Sequence, residues 1–279
     1  MMKPIKKIPP DRTVEQVRRH YEAEKEIAAR LRTATRAERS LMYRTMYDEL
    51  FAKVPDHPRL RAHLDPEQFE RRNLQKFSYV APYVASTDTF AEFAPGDCAF
   101  ARFMCSKVHE VYAYDISEQT LTRIPPPNNF HFVVYDGYTL QGIDGKFDVV
   151  FSDQFIEHLH PEDVGEHFAL VHRALKHGGR YVFRAPHRFL GPHDVSKYFS
   201  RTPEGFHLCE PTYSRCLRIC RELGFGRVIT HGHYRGRYYT LPPTYFWVVE
   251  ALLGHIPPPV RKFFSRLFLP RQLYCVAVK

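Results

Sequence analysis

The chain has 279 residues, 44% of them hydrophobic and 25% charged, which suits one sizeable α/β core with a smaller accessory region. No apolar run approaches the roughly eighteen residues of a membrane span, and the basic, proline-rich first ten residues lack the apolar stretch of a secretory signal, so a cytoplasmic location is expected. The formal charge is +9, and Arg227 to Lys279 holds eight Lys/Arg against Glu250 alone, a local +7. An acidic substrate, a phosphate-bearing carrier or an anionic membrane surface suits such a tail. So does a solvated basic face, which is the preferred reading.

From Thr13 to about Phe51, apolar residues recur at three- and four-residue steps among Arg, Lys and Glu. Thr13-Val-Glu-Gln16 and Thr35-Arg-Ala-Glu38 each fit a capping box, predicting two helices joined near 32–35. Val54-Pro-Asp-His-Pro58 breaks the pattern, and a further helix over 66–85 leads into a sheet. Strands are predicted near 89–94, 110–115, 131–135, 147–152, 180–185, 226–231 and 273–278, with helices near 98–107, 161–176 and 212–223. Near-continuous apolar strands alternating with helices predict a mostly parallel sheet covered on both faces. Six scattered cysteines without Cys-x-x-Cys spacing read as reduced, mostly buried thiols.

The stretch 89–117 carries the first chemistry. A strand runs into Pro95-Gly96, a short helix follows, and a second strand ends in Asp115, nineteen residues after the glycine. This is the opening of a βαβ nucleotide-binding unit, where the turn brings backbone close to a ligand and the acid holds ribose hydroxyls. Further acids follow at later strand ends: Asp136-Gly137 after the third, and Asp153 with Gln154, Glu157 and His158 after the fourth. The loop after the fifth strand holds His187, His193 and Asp194, with His207 close behind, at the edge where ligands of an open α/β sheet sit.

Over 90–188 and the terminal strands, these motifs resemble the class I S-adenosylmethionine-dependent methyltransferases, and within them the small-molecule branch that includes ubiquinone-biosynthesis and natural-product O-methyltransferases. The resemblance implies a Rossmann-like fold: a doubly wound, mostly parallel seven-stranded sheet with an antiparallel C-terminal strand. Residues 1–86 would form an N-terminal helical cover and 87–279 the methyltransferase domain, with substrate-loop insertions at about 186–211 and 232–272. It implies S-adenosyl-L-methionine as cofactor, with Glu92, Ala94, Gly96, Asp115, Ile116, Asp136, Gly137, Asp153 and Gln154 around it. Ala94 and Cys98 stand where the family has glycines, and neither adopts positive φ cheaply.

Methyl transfer to a hydroxyl calls for a positioned acceptor and a base. His158 or His193 is expected in that role, with Asp153 and Gln154 shaping the methyl site and His187, His193, Asp194 and His207 meeting the substrate. The ubiquinone branch uses a Glu where Gln154 stands to hold a metal, so no metal is expected. The expected partner is a small-molecule or carrier-linked acceptor, with anionic character one option. Nucleic acid is the weaker partner, resting only on the aromatics and cations of 231–239. The aromatics of 247–268 offer a peripheral membrane contact, but covering the terminal strands is preferred. An NAD(P)-dependent oxidoreductase and a non-catalytic binding protein are the rival readings.

Overall fold

The computed structural model describes residues 3–61, 66–117 and 125–279. Its elements run α1 (Val14–Thr33), α2 (Arg36–Lys53), α3 (Pro58–Arg61), α4 (Pro66–Val80), β1 (Thr89–Phe93), α5 (Ala99–Met104), β2 (Glu110–Asp115), β3 (Phe130–Val134) and β4 (Phe147–Asp153). There follow α6 (Asp163–Ala174), β5 (Leu175–Pro186), α7 (Tyr213–Glu222), β6 (Arg227–Tyr234), β7 (Arg237–Leu241), α8 (Pro243–Gly254), α9 (Pro258–Phe268) and β8 (Gln272–Val278). Both expected capping boxes form, with Thr13 closing on Gln16 and Thr35 on Glu38.

The strands make one sheet in the order β3-β2-β1-β4-β5-β8-β6-β7. The first five are parallel, and β8 enters antiparallel between β5 and β6. The sheet thus has eight strands, one more than the seven expected. The extra one, β7, is the return arm of a hairpin turning at Arg235-Gly236, both at positive φ. That geometry is the two-residue turn whose twist matches the flanking strands. Tyr238 on β7 packs its ring against Tyr79 and Tyr274, so the added strand is held by aromatic contacts.

Alternation along the strands divides the core into two layers. Ala91, Phe93, Val150 and Phe183 face α6, α7 and α8, while Phe90, Val149, Phe151 and Val182 face α4 and α5. A third cluster joins α1 and α2 through Ile27, Leu31, Met46 and Leu50 and reaches Phe206 and Ile116. The α1–α2 hairpin therefore lies over the carboxyl ends of the strands, the edge where an open α/β sheet receives its ligand. Arg39 anchors it there: from α2 its buried guanidinium pairs with both oxygens of Asp163, at the start of α6. The Tyr138 hydroxyl donates to the same carboxylate at 2.7 Å.

The 243–268 region departs from expectation. Its aromatics do not cover the terminal strands. Phe246 is buried, stacked on Tyr213 at 3.8 Å between centroids, but Trp247, Leu252, Phe263 and Leu267 are 60, 67, 61 and 65% exposed. The reason lies in α8, which is apolar on all sides and has only one face on the core. All six cysteines are free and five are buried, where loss of solvation pushes thiols such as Cys220 up to about 12 and keeps them unreactive.

Candidate methyltransferase site

The turn after β1 keeps a glycine-loop backbone with few glycines. Ala94, Gly96 and Cys98 have φ of 53°, 61° and 56°, all left-handed. Two of the three are thus strained at about 1–2 kcal/mol each, a cost that the surrounding structure holds in place. The Ala94 amide still bonds the Tyr114 carbonyl at 2.8 Å, extending the β1–β2 ladder into the turn. At Gly96 a side chain would meet nothing within 4 Å, so the turn borders open space.

Asp115 closes this space from β2. Its carboxylate accepts the amide of Ile116 at 2.7 Å and feels those of Gly96 and Ser117, yet burial wins and raises it to about 6. Ile116 packs against both the sheet core and the α1–α2 cluster. Gly137, at φ 88°, lies beside Ile116 and the Tyr43 ring of α2. Asp136 turns back on its own loop, where Oδ1 accepts the amides of Tyr138 and Thr139, and these hold its carboxyl below the usual range.

Beyond β4, Gln154 has φ 55°, and its buried Nε2 finds no acceptor among the described residues. Asp153 points to the other side of the sheet. Arg184 takes both its oxygens at 2.6 Å and Lys76 approaches at 3.2 Å, so its carboxylate is tied up rather than offered to a methyl group. This corrects its expected catalytic role. Glu92 shares that buried cluster; loss of solvation raises it to about 8 against the pull of Lys76.

Four of the expected side chains separate by what already holds them. His187 is wholly buried: Nε2 meets Glu250 of α8 at 2.8 Å and Nδ1 accepts the Phe189 amide, so it anchors α8 and has no atom for a substrate. His193 donates from Nε2 to the His187 carbonyl at 3.1 Å, which braces its loop and leaves Nδ1 as the acceptor nitrogen. Asp194 ties its loop by accepting the amides of Ser196 and Gly205. His207 instead converges with Glu157 and His158 from the segment after β4, their donor atoms all within 4.8 Å. Burial raises Glu157 to about 8 and pushes His158 well down, while Glu210 and Glu157 pull His207 up against its own burial.

Sequence reasoning missed Arg59. It lies beyond the helix-breaking prolines and no periodic pattern marks it. Its guanidinium stacks over Tyr47, 4.9 Å from the ring centroid, and Tyr47 first, then Glu24 and Asp115, raise it further above the ordinary arginine value. The same cation acts on Asp115 and on His158, lowering both, so its charge is felt at the acid of β2 and at the histidine pair alike.

Residues 91–183 match the family described as "Methyltransferase domain". Residues 91–183 thus form a methyltransferase domain. Solved structures agree on the fold. An Archaeoglobus fulgidus S-adenosylmethionine-dependent methyltransferase is 19% identical, with a TM-score of 0.53 over 76% of this chain and 94% of its own. A Haloferax volcanii complex of the Trm112 methyltransferase activator with a methyltransferase gives 16% identity and a TM-score of 0.54, over 76% and 91%. Among curated proteins none matches.

S-adenosylmethionine is the cofactor that the strand-end motifs imply, and the chain's residues fit it. The unobstructed Gly96 turn, the Asp115 carboxylate beside it and the unsatisfied Gln154 amide together provide open space, an acceptor and a donor. Asp136 offers less, since its Oδ1 is spent on its own loop.

Proposed function

We propose that this methyltransferase acts on a hydroxyl of a small-molecule or carrier-linked acceptor that bears negative charge. The observation that carries the reading is the convergence of Glu157, His158 and His207 after β4, within the field of the Arg59 cation that also acts on Asp115. S-adenosylmethionine supplies a methyl group already activated by its sulfonium, so the chain's task is to bind, align and remove a proton. Gly96 and Asp115 hold the adenosine part, Ile116 packs beside it, and Gln154 donates from the end of β4. The neutral His158 and its two neighbours receive the acceptor hydroxyl. Arg59, always charged and shaped for bidentate pairing, selects a carboxylate or phosphate on the acceptor. In this reading residues 1–86 cover a domain at 87–279 whose loops at 186–211 and 232–272 shape the acceptor side.

The test is methyl transfer from labelled S-adenosylmethionine to pools of acidic, hydroxylated metabolites. Label is expected in an anionic product, and Arg59→Ala should lower kcat/KM for that acceptor about tenfold or more. Binding of NAD(P)H without S-adenosylhomocysteine would favour an oxidoreductase. Tight S-adenosylhomocysteine binding with no transfer would favour a non-catalytic role.

Peripheral membrane contact belongs to the same proposal. The exposed apolar side chains of α8 and α9 sit beside a basic cluster in which Lys6, Lys262, Arg266 and Arg271 feel one another's charge. An apolar face rimmed by cations suits an anionic lipid surface. Trp247 is the chain's only tryptophan, so its emission should shift to the blue with anionic vesicles at low salt. Phe263→Glu with Leu267→Glu should abolish the shift. No shift in the unmodified chain would remove the membrane from the proposal.

A further inference from the structure

Two groups of imidazoles and carboxylates among the described residues bring donor atoms within 4.8 Å of one another: His20, Glu24 and His57, and Glu157, His158 and His207. They differ in what their atoms already do. In the first, His20 Nε2 donates to Glu24 Oε1 at 2.8 Å and its Nδ1 accepts from Arg12. The other Glu24 oxygen accepts the Phe206 amide, and His57 Nδ1 accepts the Arg59 amide. Donors and acceptors are matched there, and a cation would disrupt them.

The second group is unmatched. Glu157 is fully buried, and neither of its oxygens receives a hydrogen bond from another described residue. A buried carboxylate left so is costly unless something positive completes it. His158 Nδ1 lies 3.1 Å from the Phe206 carbonyl and His207 Nδ1 lies 2.9 Å from Glu210 Oε1. A carbonyl and a carboxylate only accept, so in the neutral rings both protons sit on Nδ1 and both Nε2 atoms carry lone pairs. An outer oxygen that fixes the tautomer and the ring is what orients an imidazole for a metal. The two rings meet edge to face, 5.0 Å between centroids.

We propose that Glu157, His158 and His207 bind one divalent transition-metal ion of the zinc class through a carboxylate oxygen and two Nε2 atoms. Two imidazoles and one carboxylate suit such an ion and leave coordination positions open. With metal–ligand bonds of about 2.1 Å, ligand atoms sit roughly 3.3 Å apart, so side-chain rotations of about an ångström close the site. The ligand set differs from the ubiquinone-branch pattern, since Gln154 is not in it and His207 comes from the loop after β5. Next to the acceptor, the ion would lower the pKa of a coordinated hydroxyl. That role rests on the methyl-transfer reading; ion binding does not.

The test uses the full chain, stripped with a chelator and dialysed, then titrated with Zn2+ by calorimetry and with Co2+ as an optical probe. One ion per chain is expected, with Co2+ giving visible absorption bands. Glu157→Gln and His207→Ala should each weaken binding tenfold or more and remove the bands, and Glu210→Ala should weaken it through His207. Removing the buried acid relieves an unfavourable burial, so Glu157→Gln is expected to fold, and thermal melts check this. His20→Ala, in the hydrogen-bonded group, should keep the ion. Failure of the unmodified chain to bind either ion, or binding unchanged in both Glu157→Gln and His207→Ala, overturns the proposal. S-adenosylhomocysteine affinity measured on the same preparations separates the two readings. Its absence with the ion retained would sink methyl transfer alone, and the converse would sink the ion site alone.

Discussion

Asp115→Ala is expected to lower S-adenosylhomocysteine affinity by two orders of magnitude or more. A carboxylate accepting from two ribose hydroxyls contributes about 1.5–3 kcal/mol per hydrogen bond, because the acceptor is charged. Its environment also sets a pH dependence. Burial raises Asp115 to about 6, above the ordinary aspartate range, so the free protein holds it as a carboxylate only above that pH. Affinity should be full above about pH 7 and fall roughly tenfold per unit as pH drops through the raised value. Asp115→Asn should be weak and flat over the same range. Calorimetric titration between pH 5 and 8 decides it, and an unchanged affinity in either variant would rule out Asp115 as the ribose acid.

Arg39→Met is expected to destabilise the protein by about 3–5 kcal/mol, because it leaves the Asp163 carboxylate buried without its cation. For a chain of this size that is a fall in Tm of roughly 10 °C. The Tyr43 and Tyr138 hydroxyls remain as donors to Asp163, which sets the lower end of the range. The same change frees α2, whose Ser40 bonds the Asp136 carbonyl and whose Tyr43 covers Gly137, so cofactor affinity should fall with stability. Scanning calorimetry of Arg39→Met, Asp163→Asn and the double variant gives the coupling between the two residues. A double variant as unstable as the sum of the singles would mean that the pair does not act as a unit.

The sheet was legible in the sequence because its strands are apolar and each ends in a turn or an acid: β1, β2, β4 and β8 fall within a residue of their expected limits. The capping boxes at Thr13 and Thr35 were legible because the signal is local. β7 was not, although Arg235-Gly236 between aromatic runs is a hairpin signal that could have found it. Within the site, sequence position identified the acids but not their partners. Asp153 and Gln154 are neighbours, yet strand alternation sends one into an ion pair with Arg184 and leaves the other's amide unsatisfied. His187, His193 and His207 look alike in sequence; only tertiary hydrogen bonds distinguish the anchor, the loop brace and the residue that reaches Glu157. Arg59 carries no local mark, because its meaning depends on a strand end more than fifty residues away.

The first helix has a consequence for how the chain is made. Arg32 donates to the carbonyls of Pro203, Glu204 and Gly205, Tyr21 to the Glu204 carboxylate, and Glu24 accepts the Phe206 amide. These partners lie 171 to 183 residues downstream. During synthesis α1 leaves the ribosome ahead of the sheet and must wait for most of it before its own contacts exist. At 5–20 residues per second that wait is about ten to thirty-five seconds. In that interval each helix of the pair has its own capping box, and Ile27, Leu31 and Leu50 have one another to bury against.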